Sequence, residues 1–215
     1  MWIPIARYVH ELMGHPARVL DPAAGRGEFI GSIEADERWA VDMVAHDGSQ
    51  AFEGVNVIVS EIMAADLPEG HFDGVFVSNF LEHLDSQDEV YEFLVKMRTA
   101  TATAGRIALL GPNIAYCARE YWDFADHKVP LTHNAAAEHL YMAGFEPERI
   151  IPRFIPYSFR SRLPATGGLA AAYLAFPPAW RLLGKQFLLI GRKVTEPATR
   201  TRSGAPLSGG ARMPD

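Results

Sequence analysis

Cysteine and long apolar runs are scarce in this sequence of 215 residues. The single cysteine, Cys117, excludes an internal disulfide framework and is typical of a protein in a reducing compartment. The longest apolar run, residues 167–179, is short for a membrane span and contains two consecutive prolines. The N-terminus lacks a basic stretch followed by an apolar run and a small-residue cleavage site. These absences predict a cytoplasmic globular protein.

Motifs for metal ligands and for activated nucleophiles are also missing. His133 and His139 are six residues apart, which does not place them on one helix face, and the sequence has neither a cysteine pair nor an H-E-x-x-H pattern. The sequence therefore predicts no metal site. It has no serine-centred nucleophile elbow. Gly25 and Gly27 are not followed by the G-K-[ST] of a phosphate-binding P-loop.

Acidic residues are absent from one long segment. Residues 149–194 contain eight arginines and lysines and no aspartate or glutamate, although the whole chain has a net charge of −6. This asymmetry indicates either an anionic partner or packing of the basic segment on the acidic remainder of the chain. For an anionic small-molecule partner, Arg160 and Arg162 are candidate contacts. We expect no nucleic-acid partner.

A strand followed by a glycine turn is the most informative local pattern. Residues 18–21 predict a short buried strand, and residues 21–27 read DPAAGRG. Gly25 and Gly27 can adopt positive φ and let a ligand approach the backbone. We predict a helix over residues 27–35, with its free N–H groups near the turn. Open α/β sheets bind nucleotide-like ligands at such a turn, although an ordinary β–α loop can also contain two glycines.

Hydrophobic periodicity predicts alternating strands and helices along the rest of the chain. Further strands are predicted at residues 39–42, 55–60, 73–78, 106–110, 145–152 and 186–193. Further helices are predicted at residues 3–13, 86–98 and 134–143, with Ser86 and Thr132 as N-caps. Residues 1–194 then form one domain, in which residues 154–185 are a helical insertion, and residues 195–215 are a disordered tail.

Four stretches together resemble the class I S-adenosylmethionine (SAM)-dependent methyltransferases. They are the DPAAGRG turn with Ala23 in place of the first glycine, Asp42 twenty-one residues after Asp21, the run at 72–84 and the run at 105–113. The resemblance covers residues 17–194. It implies a Rossmann-like, doubly wound α/β fold with a mostly parallel seven-stranded sheet whose last strand is antiparallel. It also implies methyl transfer from SAM, with S-adenosylhomocysteine as product, to a small-molecule acceptor.

The same resemblance implies the residues that contact SAM. These candidates are Asp21, Ala23, Gly25, Gly27, Asp42, Glu61, Ile62, Ser78 and Asn79. Asp42 is placed to accept hydrogen bonds from the ribose hydroxyls, although an aspartate at a strand end can instead stabilise a turn. Glu61 would accept from the adenine amine while Ile62 packs on the ring; alternatively, Glu61 is a solvated loop acid.

Candidates on the acceptor side come from the long connection at residues 112–134. A hydroxyl acceptor, for example on a sugar, glycan or natural product, benefits from a general base. His127, which follows Asp126, is the first candidate and His83 the second, because an imidazole titrates near neutral pH. Tyr116, Tyr121 and Trp122 are candidates for the substrate pocket. We expect the connection and the insertion at 154–185 to roof the crevice together.

Three other functions are compatible with parts of the pattern. The first is a SAM-binding partner subunit without catalysis. The second is a nicotinamide oxidoreductase, although Ile30 occupies the position of the third glycine in G-x-G-x-x-G. The third is weak contact with a membrane surface through residues 154–185, which could coexist with catalysis.

Overall fold

A seven-stranded sheet forms the centre of the protein. A computed structural model describes residues 2–44, 50–157 and 166–195. The strands are β1 (Arg18–Asp21), β2 (Glu37–Asp42), β3 (Asn56–Val59), β4 (Phe72–Ser78), β5 (Thr101–Pro112), β6 (Phe145–Ile151) and β7 (Gln186–Lys193). Their order is β3-β2-β1-β4-β5-β7-β6, and only β7 is antiparallel to its neighbours. The predicted doubly wound α/β fold is confirmed.

Helices cover both faces of this sheet. They are α1 (Trp2–Leu12), α2 (Gln87–Ala100), α3 (Ile114–Tyr121), α4 (His133–Met142), α5 (Gly167–Leu174) and α6 (Pro177–Leu183). On one face α2 and α4 pack on Val75 and Val77 of β4. On the other face α1 and α6 share a core with Phe76, whose ring stacks on Phe29 with the centroids 3.9 Å apart. The central strand is therefore buried on both faces, as parallel sheets require.

The two predicted helix caps are confirmed. The hydroxyl of Ser86 accepts a hydrogen bond from the N–H of Glu89 at 3.1 Å, and Thr132 accepts from Ala135 at 3.1 Å. The carboxylate of Glu89 accepts from the N–H of Asp85 rather than of Ser86. Both caps satisfy N–H groups that have no partner inside the helix, and they fix where α2 and α4 begin.

The helix predicted at residues 27–35 is wrong. The chain from β1 to β2 consists of turns. Gly27 has a φ of +73°, outside the helical region. The backbone at Gly31 also lies so close to Ala51 that an added Cβ would be 2.5 Å from the Ala51 carbonyl oxygen. Tertiary contact and two glycines therefore outweigh the apolar pattern of this stretch.

The helices of the insertion pack beside the N-terminal helix. α5 contacts α1, and the ring of Tyr8 stacks on Phe154 at 5.6 Å and meets Trp180 edge-on at 5.8 Å. Among the described residues, no helix is both long and apolar enough to cross a membrane. Apart from Thr195, the predicted tail at 195–215 lies outside the described residues.

The close packing of β4 on the loop after α1 can be tested at Gly74. A Cβ at this position would lie 2.5 Å from Cγ of Pro16, whose ring is rigid. We expect Gly74→Ala to lower the free energy of unfolding in urea by about 1–3 kcal/mol, the usual cost of overpacking. The control is Gly168→Ala in α5, where an added Cβ meets no atom within 4 Å. Equal stability of the two variants would contradict this packing.

Candidate functional site

An open cavity of about 410 Å³ lies at the carboxyl ends of β1, β2 and β4. β1 pairs in parallel with both of the other strands, so their carboxyl ends meet at one edge of the sheet. Six of the nine candidates for contact with SAM line the cavity: Ala23, Gly25, Asp42, Glu61, Ile62 and Asn79. The other three, Asp21, Gly27 and Ser78, are adjacent or close in sequence to lining residues.

The glycine turn leaves room at one position and is tightly packed at another. Gly25 has a φ of +54°, and a Cβ added there would meet no protein atom within 4 Å. At Gly27 an added Cβ would be 3.0 Å from the ring of Phe52. A ligand can therefore approach the backbone closely at Gly25, whereas Gly27 allows the turn to pack.

Asp42 stabilises the turn. One carboxylate oxygen accepts a hydrogen bond from the N–H of Gly25 at 2.8 Å, and the other accepts from the N–H of Val44 at 2.9 Å. This is the turn-stabilising alternative considered for this residue. Each carboxylate oxygen can accept a second hydrogen bond, and Asp42 lines the cavity. The carboxylate thus holds the turn at the edge of the cavity.

Asp21 places an unpaired oxygen in the protein interior. The residue is 3% exposed, and its Oδ1 has no hydrogen-bond partner in the part of the chain that the structure describes. Burial, opposed by the N–H of Ala23 and aided by the charges of Glu28 and Asp42, raises the pKa of Asp21 to about 7. A buried polar atom without a partner is costly, and a ligand with a donor or a positive charge would satisfy it.

The acidic corner after β3 and the end of β4 complete the cavity wall. Ile62 is buried and Glu61 is exposed. Asn79 has a φ of +47°, and its side-chain amide donates to the hydroxyl of Ser78 at 3.0 Å. The turn at Asn79 ends β4 and leads into a short 3-10 turn, Leu81–His83.

Two histidines meet at the rim of the cavity. His83 lines the cavity, and its ring lies 5.0 Å from that of His127, centroid to centroid. His127 is 8% exposed and stacks on Phe124 at 4.9 Å. Burial, followed by the neighbouring His83, lowers the pKa of His127. This shift favours the neutral ring, the form that can accept a proton or bind a metal.

Asp126 contacts His83 rather than its neighbour in sequence, His127. The Asp126 carboxylate lies 3.2 Å from Nδ1 of His83, and its backbone carbonyl lies 3.3 Å from the same nitrogen. His127 Nδ1 lies 3.2 Å from the hydroxyl of Tyr157. Adjacent side chains on a turn point in different directions, so the nearer contact is made across the chain.

Glu82 is a buried acid that the sequence analysis did not single out. It is 4% exposed, and burial raises its pKa to about 8, with a further contribution from Asp126. Its backbone carbonyl accepts from the N–H groups of Lys128 and Val129 at 2.8 and 3.2 Å. These two bonds attach the connection at 112–134 to the end of β4. A glutamate directly before His83, in the turn that follows a buried strand, was the available signal.

The three predicted substrate aromatics, which the structure describes, do not line this cavity. Tyr121 is fully buried and donates its hydroxyl to the carbonyl of Val129 at 2.7 Å, so it packs beneath the connection. Trp122 is 59% exposed. Tyr116 lies under the guanidinium of Arg153, which is 4.8 Å from the ring centroid.

Most described basic residues of the segment at 149–194 have internal partners. Lys185 pairs with Glu120, and Arg192 pairs with Glu148 at 2.7 Å. The guanidinium of Arg153 donates to two backbone carbonyls. These contacts favour packing of the basic segment on the rest of the chain. Arg160 and Arg162 lie outside the described residues.

Comparison with known proteins identifies the fold. Neither protein-family models nor curated proteins give a match. Solved structures do. A SAM-dependent methyltransferase from Archaeoglobus fulgidus is 22% identical, with 89% of this chain and 92% of that chain covered at a TM-score of 0.62. The chain therefore has the fold of SAM-dependent methyltransferases.

Two further solved structures show the same similarity. A possible histamine N-methyltransferase from Thermotoga maritima is 15% identical, with 90% of this chain and 89% of that chain covered at a TM-score of 0.66. The 1,6-didemethyltoxoflavin-N1-methyltransferase of Burkholderia thailandensis, solved with S-adenosylhomocysteine, is 20% identical. The match covers 90% of this chain and 78% of that chain, at a TM-score of 0.58.

The buried Asp21 predicts a pH dependence of stability. Its pKa of about 7 in the folded protein lies above the ordinary value of 3.8. The folded state therefore binds this proton more tightly, and the resulting stabilisation is complete below about pH 4 and lost as the pH rises to about 7. We expect the free energy of unfolding of the wild type, measured in urea relative to that of Asp21→Asn, to fall by up to about 1.4 kcal/mol per pH unit across this range.

The comparison isolates Asp21 because other groups titrate equally in both proteins. Glu82, whose pKa is also raised, shifts stability in the same direction in the wild type and in Asp21→Asn. The difference between the two curves therefore belongs to Asp21. Parallel curves from about pH 4 to pH 7 would show that Asp21 is not buried as a titrating acid.

Proposed function

We propose that this protein transfers a methyl group from SAM to a small-molecule acceptor, at a hydroxyl oxygen of a sugar, glycan or natural product. The observation that carries this proposal is the single cavity wall formed by six of the expected SAM contacts. His83 belongs to the same wall and brings His127 to its rim. The fold shared with SAM-dependent methyltransferases supports the proposal.

The described residues fit each part of SAM. Asp42 offers carboxylate oxygens to the ribose, and Gly25 allows close approach. Glu61 and Ile62 provide an acceptor and an apolar surface for the adenine. The unpaired oxygen of Asp21 suits the positively charged methionine end. When bound, SAM supplies a methyl group on a sulfonium, and the protein contributes positioning and exclusion of water.

The histidine pair is the source of assistance to the acceptor. A neutral hydroxyl is a poor nucleophile, and it reacts faster if its proton is removed or its oxygen is polarised. A neutral imidazole can accept the proton itself or can hold a cation that polarises the oxygen. The lowered pKa of His127 favours the neutral ring in both cases. The hydroxyl proton leaves the acceptor oxygen as the new carbon–oxygen bond forms.

An anionic acceptor and a membrane contact are also proposed. An anionic acceptor is proposed from the basic segment, with Arg160 and Arg162 as contacts. Weak contact with a membrane surface is proposed from α6 and the residue before it, because Phe176 is 60% and Leu182 77% exposed. Neither feature changes the proposed methyl transfer.

The SAM site can be tested at Gly25. We expect Gly25→Val to abolish SAM binding in calorimetry, because the side chain would occupy space that the ligand needs. The matched control is Gly70→Val, since Gly70 also has a positive φ and open space around it but does not line the cavity. This control should bind SAM as the wild type does.

Three results would count against the site or the cofactor. The SAM site is refuted if folded Gly25→Val retains wild-type affinity. Binding of NAD in place of SAM by the wild type would favour the oxidoreductase. SAM binding without formation of S-adenosylhomocysteine, over a panel of hydroxylated acceptors, would favour a non-catalytic subunit.

The role of the histidine pair can be tested at His127. We expect His127→Gln to lower the turnover number by about 10²–10⁴, the usual contribution of proton transfer, with little change in SAM affinity. His71→Gln is the control, because His71 pairs with Glu37 away from the cavity. A His127→Gln enzyme with wild-type turnover would exclude the pair from catalysis.

A further inference from the structure

Three metal-ligand side chains converge at the rim of the cavity. The ligand atoms of Glu82, His83 and His127 all lie within 4.8 Å of one another. Glu82 and His83 belong to the 3-10 turn after β4, whereas His127 comes from the connection at 112–134. The hydrogen bonds from Lys128 and Val129 to the Glu82 carbonyl hold the two segments together. The cluster is therefore fixed by the backbone as well as by side-chain packing.

Second contacts orient both imidazole rings. Nδ1 of His83 faces the carboxylate and carbonyl of Asp126, which leaves Nε2 for another ligand. Metal-binding histidines usually donate their other ring N–H to a carboxylate or a backbone carbonyl in this way. His127 is oriented by the hydroxyl of Tyr157 at 3.2 Å from its Nδ1.

The charge around the cluster favours a cation. Among the ion pairs formed by described residues, none uses the Glu82 carboxylate, which is buried. Asp126 adds a second negative charge beside His83. The nearby ammonium of Lys128 pairs with Asp85 at 2.5 Å rather than with Glu82. A buried carboxylate is costly unless a cation or hydrogen bonds compensate it.

We propose that Glu82, His83 and His127 bind one divalent transition-metal ion, with an open coordination position facing the cavity. Two imidazoles and one carboxylate form a donor set that suits zinc and similar ions. Ligand atoms about 2.1 Å from such an ion lie roughly 3.4 Å apart, so small side-chain rotations close the cluster around it. The sequence analysis predicted no metal site because His127 is far from His83 along the chain and no spacing motif links them.

The inference deepens the proposed function and rests on it in one respect only. Metal binding itself follows from the three side chains. The use of the open position, however, assumes an acceptor hydroxyl in the cavity. There the ion would polarise the acceptor oxygen and lower the pKa of its proton. His83 and His127 would then act as ligands, and the proton of the polarised hydroxyl would pass to solvent as the new carbon–oxygen bond forms.

Cobalt(II) is the probe for this site, because its visible absorption reports bound nitrogen and oxygen ligands. The full-length protein, freed of metal with a chelator, is titrated with Co²⁺. We expect saturation at one ion per chain. Glu82→Gln and His83→Gln should each weaken Co²⁺ binding at least about 100-fold, more than the 10–100-fold loss typical of residues that support a ligand. Zn²⁺ should displace Co²⁺.

Two further variants distinguish a loss of metal binding from a loss of the fold. Asp126→Asn changes a largely exposed carboxylate and should weaken Co²⁺ binding about 10–100-fold while leaving the fold intact. His71→Gln removes a histidine from the separate pair with Glu37 and should leave Co²⁺ binding unchanged.

Each outcome bears on one proposal. Failure of the wild type to bind Co²⁺, or equal binding by wild type, Glu82→Gln and Asp126→Asn, would overturn the metal site. A parallel SAM titration separates this result from the proposed function: SAM binding without Co²⁺ binding refutes the metal site alone. Co²⁺ binding with the expected variant losses but without SAM binding refutes the methyltransferase and leaves the metal site.

Discussion

The parallel pairing of β1 with β2 on one side and β4 on the other determines where this protein can bind a ligand. Val19 and Leu20 align with Gly74 and Val75, so β1 and β4 end at the same edge of the sheet. The chain leaves these strands in different directions and opens a crevice between them. Ala23, Gly25 and Asn79 reach the cavity because they follow these strand ends.

Two backbone hydrogen bonds position the proposed acceptor side at this edge of the sheet. The carbonyl of Glu82 accepts from both Lys128 and Val129, which draws the connection at 112–134 onto the end of β4. Without this attachment, His127 would have no fixed relation to His83. The resulting cluster combines a buried acid with two imidazoles beside the proposed SAM site, and this arrangement is suited to activating a hydroxyl.

The sequence was sufficient to predict what depends on local pattern and spacing. The mostly parallel seven-stranded sheet followed from the alternation of elements and the family resemblance. Ser86 and Thr132 were correct caps because capping uses contacts within one turn. The helix at 27–35 failed because contact of Gly31 with Ala51, a tertiary effect, decided the local structure. The pairing of Asp126 with His83 and the burial of Glu82 were missed for the same reason: both depend on residues distant in sequence.

A crystal structure with S-adenosylhomocysteine tests the central claim most directly. The account predicts the adenosine in the crevice between the ends of β1 and β4, with the ribose hydroxyls on the carboxylate of Asp42, the adenine on Ile62, and the sulfur facing His83. The account is contradicted if the ligand binds elsewhere, or if it lies in the crevice with the sulfur turned away from the histidine pair.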